Sequence, residues 1–221
     1  MSDNIPVVED IMSANDRLAM QIHRTLNDAG VFALNIMASP GGGKTSVIVR
    51  TVQALMDEVR IGVMDGDIVD IDLEELAAMG IPVSLINTGG NCHLDANMVN
   101  GALPTLDLDA LDLLIIENVG NLICPAAFKL GVHHNVVIAS VPEGDDKPYK
   151  YPAMFRGADV LLLNKMDLQE YMGFDVDHFR HGVEVLNPGV AFFPISCRTG
   201  EGIDAWLDWL RTQITERSTA G

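Results

Sequence analysis

Cysteine is scarce in this chain: Cys92, Cys124 and Cys197 are the only three among 221 residues. An odd number at wide spacing writes no disulfide framework and points to a reducing compartment. Long apolar runs are also missing, since none approaches the ~20 residues a membrane span needs. Met1-Ser2-Asp3-Asn4 lacks the basic start and apolar stretch of a secretory leader. The expectation is a cytoplasmic protein with no membrane partner. Basic residues are few as well, 14 against 31 acidic ones, giving a net charge of −17. A surface of that sign repels a phosphate backbone, so nucleic acid is excluded as a broad partner and the acidity reads as solubility. There is no internal repeat, low-complexity segment or linker, and no Cys/His-rich stretch before residue 92.

What is present is periodicity. Hydrophobic residues make up 48% of the chain, enough for one packed domain without disulfides. Ile11, Leu18, Ile22 and Leu26, separated by polar residues, predict an amphipathic helix over 8–29 that closes at Gly30. Residues 1–30 are therefore expected as a helix packed on or beside the domain, with His23 on its solvated face. From Val31, β-like runs alternate with helical segments. Strands are predicted at Phe32–Met37, Arg60–Met64, Val83–Ile86, Asp112–Ile116, Val136–Val141, Val160–Leu163 and Val190–Ile195. Helices are predicted at Gly43–Glu58, Ile68–Met79, His93–Leu103, briefly after Tyr151, and at Val176–Leu186 and Ile203–Glu216. Apolar runs such as Leu113-Leu114-Ile115-Ile116 suit a mostly parallel sheet buried on both faces. The predicted fold is α/β, doubly wound and flanked by helices, one domain over 31–216 with a flexible tail at 217–221.

The strongest motif is Ala38-Ser39-Pro40-Gly41-Gly42-Gly43-Lys44-Thr45-Ser46, at the junction of the first strand and the helix after it. Strand, glycine-rich turn and helix in that order make a phosphate-binding loop. Gly41, Gly42 and Gly43 let backbone N–H groups face a polyphosphate, Lys44 reaches its terminal phosphates, and the Thr45 hydroxyl suits Mg²⁺. Ala38 stands where the usual pattern has glycine. Asn164-Lys165-Met166-Asp167 follows the strand Val160–Leu163. There the carboxylate of Asp167 can accept from both N1–H and the 2-amino group of guanine, donors that adenine lacks. Asn164 is expected to tie this turn to the phosphate loop, and the stem of Lys165 to lie along the base. Ser196-Cys197-Arg198-Thr199-Gly200-Glu201-Gly202 offers a small-residue turn whose N–H groups can meet the guanine oxygen, with the Cys197 side chain in packing.

Glu117-Asn118-Val119-Gly120 ends another strand, where P-loop GTPases commonly hold Asp-x-x-Gly, an acid that reaches Mg²⁺ through water. Asp65-Gly66-Asp67 supplies further carboxylates, with Asp67 placed ahead of Asp65 and with Asp70 and Asp72 read as solvated. Cys92-His93 and Cys124 have donor chemistry for Zn²⁺ or Ni²⁺. Two buried thiols and a satisfied histidine fit the spacing equally well. A loop-to-helix junction would let Cys92 and His93 converge and would lower the thiol pKa. Cys124 lies seven residues past Glu117, so a metal there would feel the nucleotide. Glu143–Pro152 reads as an irregular loop on the same rim, whose Lys147 or Lys150 either contacts nucleotide or is solvated. Leu168 and Met172 form either a small apolar patch or core.

Thr88–Asp95, Glu117–Pro125 and Glu143–Pro152, together with Asn164–Asp167, resemble the HypB family, GTPase accessory proteins that help insert nickel into nickel–iron hydrogenase. The resemblance runs from about residue 10 to 212. It implies a single P-loop GTPase domain of the signal-recognition and MinD-like class, which binds GTP or GDP with Mg²⁺ and forms a homodimer promoted by nucleotide or metal. It implies a nickel or zinc site at Cys92, His93 and Cys124 near the dimer interface. The catalytic group is then Lys44, Thr45, Asp67 and Glu117. Gly41, Gly42, Gly43, Ser46, Asn164, Lys165, Asp167, Ser196 and Cys197 complete the nucleotide site. Implied partners are the nickel chaperone HypA and the hydrogenase large-subunit precursor. The N-terminal Cys-rich or His-rich stretches of some members have no counterpart in this sequence, so nickel storage is not carried over. An accessory GTPase for another nickel enzyme, such as urease, is the runner-up, with Gly144–Pro148 and Ile123–Pro125 favouring the hydrogenase branch. A nucleotide kinase or ATP-dependent ligase, with structural cysteines, is the alternative from another class, and a metal-bridged scaffold the non-enzymatic one. No arginine finger is evident, so slow hydrolysis is expected.

Overall fold

The computed structural model describes residues 6–66 and 71–218, with side chains for 14–66 and 74–217. Among the described residues the strands are β1 (Phe32–Ala38), β2 (Ile61–Asp65), β3 (Val83–Leu85), β4 (Leu113–Glu117), β5 (His134–Ser140), β6 (Val160–Asn164) and β7 (Ala191–Pro194). They form one sheet in the order β3-β2-β4-β1-β5-β6-β7. Every pairing is parallel, so the expected mostly parallel sheet is parallel throughout. The α-helices among the described residues are α1 (Pro6–Asp28), α2 (Lys44–Leu55), α3 (Ile71–Ala78), α4 (Ala96–Ala102), α5 (Lys147–Lys150), α6 (Pro152–Arg156), α7 (Gln169–Met172), α8 (Val176–Leu186) and α9 (Ile203–Ser218).

Period-two alternation along β1 sorts the layers. Phe32, Leu34, Ile36 and Ala38 face one side, where they meet Val47 and Ile48 of α2, Leu76 of α3 and Trp206 and Leu210 of α9. Ala33 faces the other side with Ile22 and Leu26 of α1 and Val99 of α4. Met37 shares that side with Phe155 of α6 and Phe179 of α8. β1, β2, β4 and β6 are buried along their whole length, as expected for strands sandwiched between helical layers. Among the described residues no helix is long and apolar enough to cross a membrane.

The sheet positions the chemistry by where its strands stop. β1 lies at the centre between β4 and β5, and the chain crosses over it on the way from β4 to β5. A crevice at the carboxyl ends of the strands belongs at such a reversal. Ala38, Asp65, Glu117, Ser140 and Asn164 are the last residues of five strands, so all stand on that rim.

Several elements depart from the sequence reading. β4 runs through Glu117, which makes the acid a strand residue paired across from Asp65. The helix expected from His93 starts at Ala96, because Asp95 caps it by accepting from the Met98 N–H at 2.8 Å. Cys92 and His93 thus lie in a loop ahead of the helix and not at its N-terminus. The segment expected as an irregular loop contains α5, with Pro148 in its first turn. His23 is half-buried, its ring 4.8 Å from that of His133 and its Nδ1 3.2 Å from the Gly131 carbonyl, so it does not sit on a solvated face. Asp67, Asp70, the side chains of Ile11 and Asp72, and the tail at 219–221 lie outside the described residues.

Candidate functional site

The phosphate loop leaves β1 at Ala38 and enters α2 at Lys44. Gly41 and Gly43 hold φ of 74° and 100°, a region where a side chain strains the backbone. A Cβ on Gly43 would stand 2.4 Å from Asn164 Nδ2, so close approach forbids one as well. Lys44 is buried, its Nζ 3.7 Å from Glu117 Oε1. Thr45 Oγ1 donates to the same carboxylate oxygen at 3.1 Å. Asp65 is buried beside them at the end of β2, where Gly66 N donates to the Glu117 carbonyl at 2.9 Å. Ammonium, hydroxyl and two carboxylates therefore converge below a loop of backbone N–H groups, a donor set that fits a polyphosphate and a hard divalent cation.

The loop is held from beneath by Glu143. Ser39 Oγ donates to Glu143 Oε1, and Ser140 N and Oγ donate to Oε2 at 2.9 and 2.8 Å. Lys147 lies 3.7 Å from the same carboxylate and over the ring of Tyr151, while Lys150 pairs with Asp146.

Asn164 joins the phosphate loop to the turn behind it. Its Nδ2 donates to the Gly42 carbonyl at 3.3 Å, while its Oδ1 accepts from Lys165 N at 2.7 Å and Cys197 N at 3.3 Å. Lys165 adopts a φ of 63°, the one positive φ of a non-glycine among the described residues. That turn aims its Nζ at the Gly41 carbonyl, 2.7 Å away. Asp167 is held by the Ser196 hydroxyl at 2.6 Å, with Arg198 3.9 Å from its other oxygen. The N–H groups of Ser196 and Cys197 are already engaged, on Glu201 O within the loop and on Asn164 Oδ1 at the end of β6. Burial pushes the Cys197 thiol up, and its half-buried side chain packs against the core. A cavity of ≈ 610 Å³ opens here, lined by Thr45, Ser46, Arg50, Asn164, Lys165, Asp167, Leu168 and Cys197 among others. Met172 is exposed, so of the i,i+4 pair only Leu168 packs against the core.

The sulfur and ring-nitrogen atoms of Cys92, His93 and Cys124 lie within 4.8 Å of one another. Cys92 Sγ is 3.7 Å from His93 Nδ1. The His93 ring stacks on Phe128 with centroids 3.9 Å apart, which fixes its plane. Burial depresses the His93 pKa against the opposing charge of Asp95. The Cys124 thiol is pushed up, chiefly by its hydrogen bond with the Cys92 sulfur and then by desolvation. Two soft donors and an imidazole at this separation fit one Zn²⁺ or Ni²⁺ after small side-chain rotations.

Sequence reasoning missed a relay of amides that runs from the loop ahead of α4 into the sheet. Asn118 is fully buried, and its Oδ1 accepts from Leu94 N at 3.1 Å and Val119 N at 2.9 Å. Its Nδ2 donates to Asn35 Oδ1 at 3.1 Å, and Asn35 Nδ2 to Asn135 Oδ1 at 3.0 Å. The available signal was Asn35 itself, an amide inside the apolar run of β1 that must find partners once buried.

A sequence model of the family described as "CobW/HypB/UreG, nucleotide-binding domain" matches residues 32–194. The hydrogenase maturation factor HypB of Azotobacter vinelandii is 46% identical over 215 residues, covering 97% of this chain and 71% of that protein. The chain belongs to the HypB family. Two HypB crystal structures share its fold at a TM-score of 0.87. That of Archaeoglobus fulgidus is 42% identical and covers 91% of this chain and 99% of its own. That of Helicobacter pylori, a complex with nickel, is 35% identical and covers 93% and 97%. In this HypB-family chain the phosphate loop, the Asn164–Asp167 turn and the Cys92/His93/Cys124 cluster share one rim of the sheet.

Proposed function

We propose that the protein is a GTP-hydrolysing metallochaperone that assists nickel insertion into the large subunit of nickel–iron hydrogenase. One observation carries this reading. The cysteine and histidine cluster is completed by Cys124, which lies seven residues beyond Glu117 on the segment that leaves the phosphate-loop rim. A metal in the cluster and a phosphate on the loop would thus touch the same short stretch of chain. The hydrogenase reading is preferred over urease because the Azotobacter vinelandii and Archaeoglobus fulgidus relatives are hydrogenase maturation factors, and the HypB of Helicobacter pylori was crystallised with nickel.

In this reading Gly41, Gly42, Gly43, Lys44 and Ser46 hold the phosphates. Asn164, Lys165 and Asp167 take the guanine ring, with Ser196 and Cys197 shaping the far wall. Thr45, Glu117 and the carboxylates of Asp65 and Asp67 hold Mg²⁺, which when bound offsets the charge that builds on the phosphate oxygens during transfer. Lys44 and Glu117, 3.7 Å apart, would take phosphate and metal respectively, so a bound ligand acts on the rim from which the segment 117–124 departs. Cys92, His93 and Cys124 carry Ni²⁺ or Zn²⁺ as cargo, three donors leaving a coordination position open to a transfer partner. Nucleotide or metal promotes a homodimer, the nickel chaperone HypA and the hydrogenase large-subunit precursor are the partners, and the site of action is the cytoplasm. Slow hydrolysis suits a switch whose loaded state must outlast partner encounter.

Titration of Ni²⁺ into Cys92→Ala and Cys124→Ala variants tests the cargo site. Each should lose at least about tenfold in affinity with GTP binding intact, as expected when one of three strong donors goes. Unchanged Ni²⁺ affinity in both variants would remove the site from these residues.

A further inference from the structure

Cys92 and Cys124 lie on different loops, so the geometry of a metal between them depends on what fixes the distance between those loops. Two asparagines from 117–124 reach across. Asn118 Oδ1 accepts from the backbone N–H of Leu94, next to His93, at 3.1 Å. Asn121 Nδ2 donates to the carbonyl of Cys92 itself at 3.2 Å, while its Oδ1 accepts from Ile123 N at 2.9 Å, one residue before Cys124. Asn121 therefore touches the backbone on both sides of the cluster.

Between the two asparagines stands Gly120, pressed on the phosphate loop. A Cβ there would lie 3.3 Å from Pro40 Cα and 3.4 Å from Lys44 Nζ. No side chain cushions this contact, so displacement of Pro40 or Lys44 by a terminal phosphate bears directly on the residue preceding Asn121. Asn118 is clamped differently: it is fully buried, its N–H donates to Ile36 O at 3.0 Å and its amide to Asn35. One end of the segment is thus anchored in the sheet, and the half-buried Asn121 holds the other end to loop backbone alone, at Cys92 O and Ile123 N.

We infer that Asn121 is a positioning residue that converts nucleotide-dependent movement of Gly120 into a change in the Cys92–Cys124 separation, with Asn118 as the fixed pivot. This rests on the nucleotide-coupled metal site proposed above and assigns the coupling to one side chain. Rotation about the anchored Asn118 reaches Cys92 through the carbonyl that Asn121 holds, and Cys124 through Ile123 N and the Asn121 amide beside the thiol, so the two sulfurs are moved by different levers. The tetrahedral or planar set that a divalent cation demands is then better met in one nucleotide state than in the other.

The test measures the Ni²⁺ dissociation constant of the full chain saturated with GDP and with a non-hydrolysable GTP analogue, for the wild type, Asn121→Ala and Asn121→Asp. Asn121→Asp retains the acceptor for Ile123 N but loses the donor to Cys92, and any general effect of its charge cancels in the ratio of the two constants. The wild-type ratio should differ from unity by about fivefold or more and fall within about twofold of unity in both variants, the scale of one lost hydrogen bond. Affinity for the GTP analogue should stay within about twofold of wild type, which a general structural defect would not allow. A wild-type ratio preserved in either variant overturns the assignment to the Asn121 bridge while leaving the metallochaperone reading intact. A wild-type ratio of one overturns that reading and the inference with it.

Discussion

Asp167 is held on the cavity wall by two neighbours. The Ser196 hydroxyl at 2.6 Å fixes one carboxylate oxygen, and Arg198 approaches the other from the exposed side. In the proposed base site, two acceptor oxygens held on the cavity wall would match two adjacent donors on guanine, and adenine would leave them facing without partners. Asp167→Asn replaces one acceptor by a donor. It should lower GTP affinity by roughly 10–100-fold and bring GTP and ATP close to parity, read by nucleotide competition. GTP preference retained in that variant would place base selection elsewhere. Asn164 acts at the same scale: one amide bonds to the phosphate loop, the base turn and the Cys197 loop, so the three cannot shift independently.

At the scale of elements, the docking of α1 depends on a neutral histidine. Ala33 N of β1 donates to His133 Nδ1 at 2.9 Å, and His133 Nε2 lies 3.2 Å from Asn27 Oδ1 of α1. Burial, and then the nearby charges of Arg217, His23 and His134, lower the His133 pKa from 6.5 to about 3. The unfolded chain takes up this proton near pH 6.5 while the folded chain refuses it down to about 3. The unfolded state therefore binds more protons across that window, and stability contributed by this group is complete above pH 6.5 and lost as pH falls toward 3. Denaturant unfolding between pH 7 and 4 should show a shallower loss for His133→Asn than for the wild type, and parallel curves would mean the imidazole does not titrate as described.

Which elements were legible follows from what carries their signal. The strands were, because Leu113–Ile116 and Val160–Leu163 are continuous apolar runs, and the phosphate loop and Asn164–Asp167 turn were, because their residue types have few other uses at a strand end. The start of α4 was misplaced because helical periodicity cannot tell His93 from Ala96, whereas the Asp95 cap can. The helical turn at Lys147–Lys150 was hidden by Pro148, which reads as a breaker but is well suited to a first turn. Asn121 carried no sequence signal, since its partner is a backbone carbonyl 29 residues away.

For the whole molecule, the charge of −17 sets the conditions under which two copies can meet. Chains of one sign repel over about 10 Å at 0.1 M salt, so the proposed dimer needs a favourable term that GTP or a metal supplies and that salt unmasks. The fold contributes by gathering five strand ends on one rim, so that the Asn164–Asp167 turn, the glycine-rich loop and the metal donors lie along a single edge. The account stands or falls on whether those groups respond together. Loading the full chain with GDP or with a non-hydrolysable GTP analogue, titrating Ni²⁺ and following molecular mass at once measures this. A joint dependence of Ni²⁺ affinity and mass on the nucleotide is the predicted result; affinity and mass that are both indifferent to the nucleotide would contradict it.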